Sequence, residues 1–175
     1  DGGLEKMVSS KNIMWLDNVK AQFGDSNDLN IRHDSTNSII ENSTGDLRFT
    51  NKADDKDIIF QSDDGSGAVT TYFRLDGSSA NSGTVYTQFP DNSIITFGSA
   101  DDLQIKHDGT DSKITNTNGD LYIRNTADDK DIIFQSDDGS GGVATYFKLD
   151  GSANSDGNPR TIFPDNAVLA LGTSQ

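Results

Sequence analysis

The chain has 175 residues, no cysteine, and 28 acidic residues against 14 basic ones, for a formal charge of −14. Without a Lys/Arg cluster to neutralise phosphates, such a surface makes nucleic acid a poor partner and disfavours anionic membranes. Apolar runs such as "IIF" are only a few residues long, so nothing reads as a bilayer span or a signal peptide. The missing cysteines remove disulfide and thiolate chemistry and leave the redox compartment open.

In chain order, residues 1–18 read as the end of a preceding repeat. "DGG" at 1–3 matches the end of a "YFxLDG" motif, and "WLDN" at 15–18 stands where "FPDN" recurs at 89–92 and 163–166. From Val19 the chain is a tandem repeat with a constant offset of 74 residues, so that Phe23, Leu29, Ile31 and His33 fall on Phe97, Leu103, Ile105 and His107. The first unit runs over 19–92, the second over 93–166, and 167–175 opens a further copy with "AVLALG". "ADDKDIIFQSDDGSG" occurs letter for letter at 53–67 and 127–141, which points to duplication. The chain is expected to be a window on a longer array.

Within each unit the apolar residues alternate with polar ones, the period of a half-exposed strand. Leu29 and Ile31, Leu47 and Phe49, and Val69, Thr71, Phe73 and Leu75 each line up on one face. "HDSTN", "NSTGD", "SDDGSG", "LDGSS" and "FPDN" supply turn residues between them. The expectation is an all-β chain of about six short strands per unit. Positions that differ between the copies (Asn30/Gln104, Arg32/Lys106, Ile39/Lys113, Arg74/Lys148) are assigned outward, so Ile39 is expected to be exposed. Leu29, Ile31, Ile40, Leu47, Phe60, Phe73 and Leu75 all recur as the same residue in the second unit and are assigned inward, filling one repeated core shape.

The "DIIF" strand is apolar on both faces, with Ile58 and Phe60 on one and Ile59 on the other, and Ile132, Phe134 and Ile133 repeating the pattern. Such a strand needs cover on two sides. Either another layer of a single-chain β-solenoid or the same strand of another chain would supply it. The second is favoured: an elongated β-fibre, a parallel homotrimer in which thin chains share one apolar axis and close their strand edges. At about 4.8 Å per strand, a unit would advance on the order of 30 Å along such an axis.

"DLNIRHDSTNSIIENSTGDLRF", "DLQIKHDGTDSKITNTNGDLYIRNTADDKDIIFQSDDGSGG" and "TYFKLDGS" resemble repeats of tail-fibre and other virion structural proteins of tailed bacteriophages, particularly marine ones. The resemblance covers nearly everything from Val19 onward. It implies a trimeric shaft on an extracellular virion appendage, contacting other virion proteins and reaching a host surface. A glycan-binding adhesin stalk is the alternative and a polysaccharide depolymerase spike comes third.

No catalytic, cofactor-binding or metal-binding residue is assigned, and no enzymatic activity is expected. His33 and His107, the only histidines, occupy the same place in both units and read as scaffold, without the ligand set of a metal site. Asp54, Asp55, Asp57, Asp63 and Asp64 raise calcium, yet neither an EF-hand nor a glycine-rich nonapeptide is present, and solvated turns are the simpler reading. Duplicated carboxylates also argue against a glycosidase pair, which has no reason to recur in each unit. Trp15 stands where Phe89 and Phe163 stand and is expected to fill a core. Tyr72, Tyr86, Tyr122 and Tyr146 are the candidates for sugar contact, having an aromatic face and a polar tip.

Overall fold

A computed structural model describes residues 13–152 and 157–172 of the chain. The stretches at 1–3 and 173–175, read above as parts of neighbouring repeats, lie outside the described residues. The described chain is all-β and contains no helix. It divides into two units, one ending at Ser93 and the other beginning at Ile94.

The first unit carries β1 (Ala21–Phe23), β2 (Leu29–His33), β3 (Ser38–Asn42), β4 (Ile58–Asp63), β5 (Val69–Asn81) and β6 (Thr84–Gln88). The second carries β7 (Ile94–Phe97), β8 (Leu103–His107), β9 (Ser112–Asn116), β10 (Ile132–Asp137), β11 (Val143–Asp150) and β12 (Arg160–Ile162). Each unit forms two antiparallel three-stranded meanders, β1-β2-β3 with β4-β5-β6, and β7-β8-β9 with β10-β11-β12. All pairings are between consecutive strands, which the short Asn, Asp and Gly turns permit. The solenoid alternative is therefore corrected: among the described residues the ladders are antiparallel and neither coil nor close into a barrel. Nor do the six strands of a unit stack as one continuous ladder.

Turn chemistry follows the sequence closely. Asn18, Asn92 and Asn166, the last residues of "WLDN" and the two "FPDN" motifs, all adopt positive φ near 66°. In each turn the next residue's amide closes back, from Val19 to Leu16, Ser93 to Pro90 and Ala167 to Pro164. Asn tolerates this left-handed conformation, so the three motifs form one repeated turn.

Two expectations about strands do not hold. Residues 46–50, with Leu47 and Phe49, and their counterparts 120–124 join no ladder. The opening of the further copy, 167–171, also stays unpaired. Alternation predicts an extended backbone, but a strand also needs an edge to pair with, and no described segment pairs with these.

The assignment of inward and outward faces is also corrected. Register places Phe23 opposite Leu29, Ala21 opposite Ile31 and Ile31 opposite Ile40, giving one apolar face. Asn30 opposite Glu41 and Arg32 opposite Ile39 form the other. The polar face is the better covered one: Asn30 is buried and Arg32 and Ile39 are half-buried, whereas Ile40 is 50 % exposed. Long side chains account for this by lying across one another, with Arg32 Nη1 donating to Glu41 Oε2 at 2.7 Å and Gln22 Nε2 to Asn30 Oδ1 at 3.0 Å. Arg74 and Lys148, assigned outward, are likewise half-buried in ion pairs. Among the described residues nothing covers the apolar face, where Phe23, Ile31 and Ile40 are all exposed.

Candidate functional site: the uncovered apolar faces

No apolar residue among those described is buried; Asn30, Asp76 and Asp150 are the only buried residues, and all are polar. The chain exposes 14769 Å². A folded monomer of this mass exposes about 8,300 Å², and two separate units of half the mass about 10,000 Å² together. The surplus is of the size that obligate interfaces remove from water.

The best-defined apolar surface is an aromatic stack that recurs in both units. Phe60 pairs with Phe73 across β4 and β5, ring centroids 4.5 Å apart, and Phe73 stacks on Phe89 at 5.6 Å. Phe134, Phe147 and Phe163 repeat it at 4.3 and 5.9 Å. Ile58 opposite Leu75 extends the same face. Phe49 borders it too, sharing a cleft of about 370 Å³ with Ile58, Leu75 and Tyr86. The outer residues of each stack remain exposed, and Ile59 on the opposite face of β4 is 52 % exposed. The "DIIF" strand thus finds on neither face the cover its composition calls for. Trp15, expected in a core, is exposed as well.

Carboxylates hold the frame around these faces. Asp57 Oδ1 accepts the Gly77 amide at 2.9 Å, and Asp131 Oδ1 the Gly151 amide at 3.0 Å, each bridging 20 residues of sequence. Arg74 pairs with Asp57 and Asp76, and Lys148 pairs with Asp131 and Asp150 at 2.9 and 2.8 Å. The exchange of Arg for Lys between copies leaves this bridge in place. The Lys148 hydrogen bond holds the Asp131 carboxyl below the usual carboxylate range.

Of the residues raised as calcium ligands, Asp63 and Asp64 turn their oxygens toward their own loop, and Asp57 is taken up by Gly77 and Arg74. Asp63 accepts the amides of Gly65 and Gly67; Asp64 Oδ1 accepts the Ser66 amide and hydroxyl and the Ala68 amide. The Ser66 hydroxyl, followed by the two amides, lowers the Asp64 pKa. Among the described residues no three His, Cys, Asp or Glu side chains converge in a way that could hold a metal. His33 and His107 each place Nδ1 beside the hydroxyl of the residue opposite, Ser38 at 3.3 Å and Ser112 at 3.1 Å.

Two of the candidate sugar-contacting tyrosines have a structural role that sequence reasoning missed. The β4–β5 register slips between Phe60 and Gln61, leaving Tyr72 as the extra residue of a β-bulge. Its hydroxyl donates to the Asp63 carbonyl at 2.8 Å, as that of Tyr146 does to Asp137 at 2.9 Å. The rings stay exposed. Tyr86 lies in the ladder opposite Asp76, and Tyr122 lies in the unpaired segment. A period-2 pattern cannot reveal a bulge, which depends on the partner strand.

The chain matches no protein-family model, no curated protein and no solved structure.

Proposed function

We propose that this chain is a structural segment of a tailed-phage virion fibre, a repetitive shaft that acts in host attachment by spanning distance. Three copies share the apolar faces described above, and other virion proteins hold the ends. The carrying observation is that no apolar residue among those described is buried, although the strands, turns and ion pairs are otherwise well formed. Uncovered apolar surface on this scale marks an interaction surface, and covering it with copies of the same chain needs no further partner. The fibre assignment rests on the repeat motifs. Sedimentation velocity tests the assembly, with a stable trimer expected and a monomer counting against it; electron micrographs of the parent particle test the location.

A glycan-binding stalk is the second reading. A cleft of about 610 Å³ beside Tyr146, Phe147 and Phe163, with Asp138, Asp165 and Asn166 on its walls, favours it. Aromatic faces flanked by polar groups suit sugar binding. Saturable binding on a glycan array would support it, whereas release of oligosaccharides from host polysaccharide would point to the depolymerase.

A further inference from the structure

We infer that residues 46–50 and 120–124 are donor strands: in the assembled protein each pairs through its backbone with an open sheet edge of a second copy of this chain. The inference rests on the shared-core reading and identifies the segments that make the contact.

Four observations carry it. First, no backbone group of either segment is hydrogen-bonded, although the chain around them is. Second, both segments are clamped at each end. Asn42 Nδ2 donates to the carbonyls of Thr44 and Gly45, and beyond the segment Asn51 donates to the Asp57 carbonyl while accepting the Ala53 amide. Asn116 and Asn125 make the same four bonds in the second unit. Gly45 and Gly119, at φ of 66° and 70°, turn the chain into the segment. Third, Leu47 and Phe49, and Leu121 and Ile123, alternate with polar residues and are all exposed. Fourth, "DLRFT" and "DLYIR" carry one acid and one base each, so they are neutral in a chain of charge −14. Like-charge repulsion, which opposes self-association elsewhere on this surface, is absent there.

A backbone held at both ends has already lost much of its conformational entropy, so pairing it costs less than ordering a free segment. Strand addition to an open edge supplies hydrogen bonds from the main chain and specificity from alternate side chains. Among the open edges, those of β4 and β10 carry apolar residues on both faces, and each is paired on one side only. The surplus exposed area, well above the ~1,600 Å² of a standard interface, favours a second copy as the occupant.

Backbone hydrogen exchange on the native protein, read together with its sedimentation, tests the inference. In the assembled protein the amides of 46–50 and 120–124 are expected to exchange at least ~10-fold slower than an unstructured peptide. Arg48→Pro and Tyr122→Pro, which each remove one donor while keeping the apolar residues, are expected to weaken assembly at least ~10-fold. An assembled protein whose amides exchange freely at both segments would overturn strand donation and leave the shared core standing. A monomer would overturn both, whether or not those amides are protected.

Discussion

Gly77 packs against the carbonyl oxygen of Lys56 so closely that a Cβ on it would overlap that oxygen, and Gly151 stands in the same relation to Lys130. Both glycines donate their amides to the aspartate that follows that lysine, Asp57 or Asp131. Backbone atoms cannot yield as a side-chain tip can. Gly77→Ala and Gly151→Ala should each cost about 1–3 kcal/mol, the range for overpacking, measured by denaturant unfolding. Gly45 differs, because a Cβ there meets nothing and only its positive φ resists substitution, at about 1–2 kcal/mol.

Ile39 and Ile40 are neighbours with opposite expected tolerance. Ile39 corresponds to Lys113, whose ammonium pairs with Asp108; Asp34 occupies the equivalent place in the first unit. Ile39→Lys should therefore leave both stability and assembly close to wild type. Ile40→Lys puts a charge on the apolar face opposite Ile31, and sedimentation should show the oligomer dissociating.

The aromatic stack gives a third outcome. Stacking alone contributes about 0.5–1.5 kcal/mol per pair, whereas truncating a buried Phe costs about 3–5 kcal/mol. Phe147→Ala should show the larger cost at concentrations where the chain is assembled. A loss within the smaller range would mean that the stack stays wet.

Acid should unfold the protein through its aspartates. Lys113 lowers the Asp108 pKa and Lys148 that of Asp131, while serine hydroxyls and loop amides lower those of Asp64 and Asp138. A carboxyl with a depressed folded-state pKa adds stability that is present above its unfolded value, about 3.9, and lost as pH falls through the folded value. Thermal midpoints should be level from about pH 7 to 5 and fall steeply below about pH 4. The double substitution Asp64→Asn with Asp138→Asn should make that fall shallower.

Tyr72→Phe and Tyr146→Phe remove the hydroxyls that tie each bulge to its turn. A cost of about 0.5–1.5 kcal/mol per site is expected in unfolding experiments. The exposed ring faces remain, so any glycan binding through them should survive.

The sequence by itself determined the repeat, its offset, an all-β chain of short strands and most of the turns between them. These are local matters: alternation fixes which residues share a face, and Asn and Gly set where the backbone can take positive φ. Only the tertiary structure decided which face is covered, because cover comes from neighbours distant in sequence. It placed Ile39 opposite Arg32 and half-buried, and left Ile31 and Ile40 exposed. It also left Leu47 and Phe49 outside every ladder, put Tyr72 on a bulge, and joined Asp57 to Gly77 across 20 residues. Pairing and close approach are relations between segments, and neither periodicity nor composition of one segment contains them.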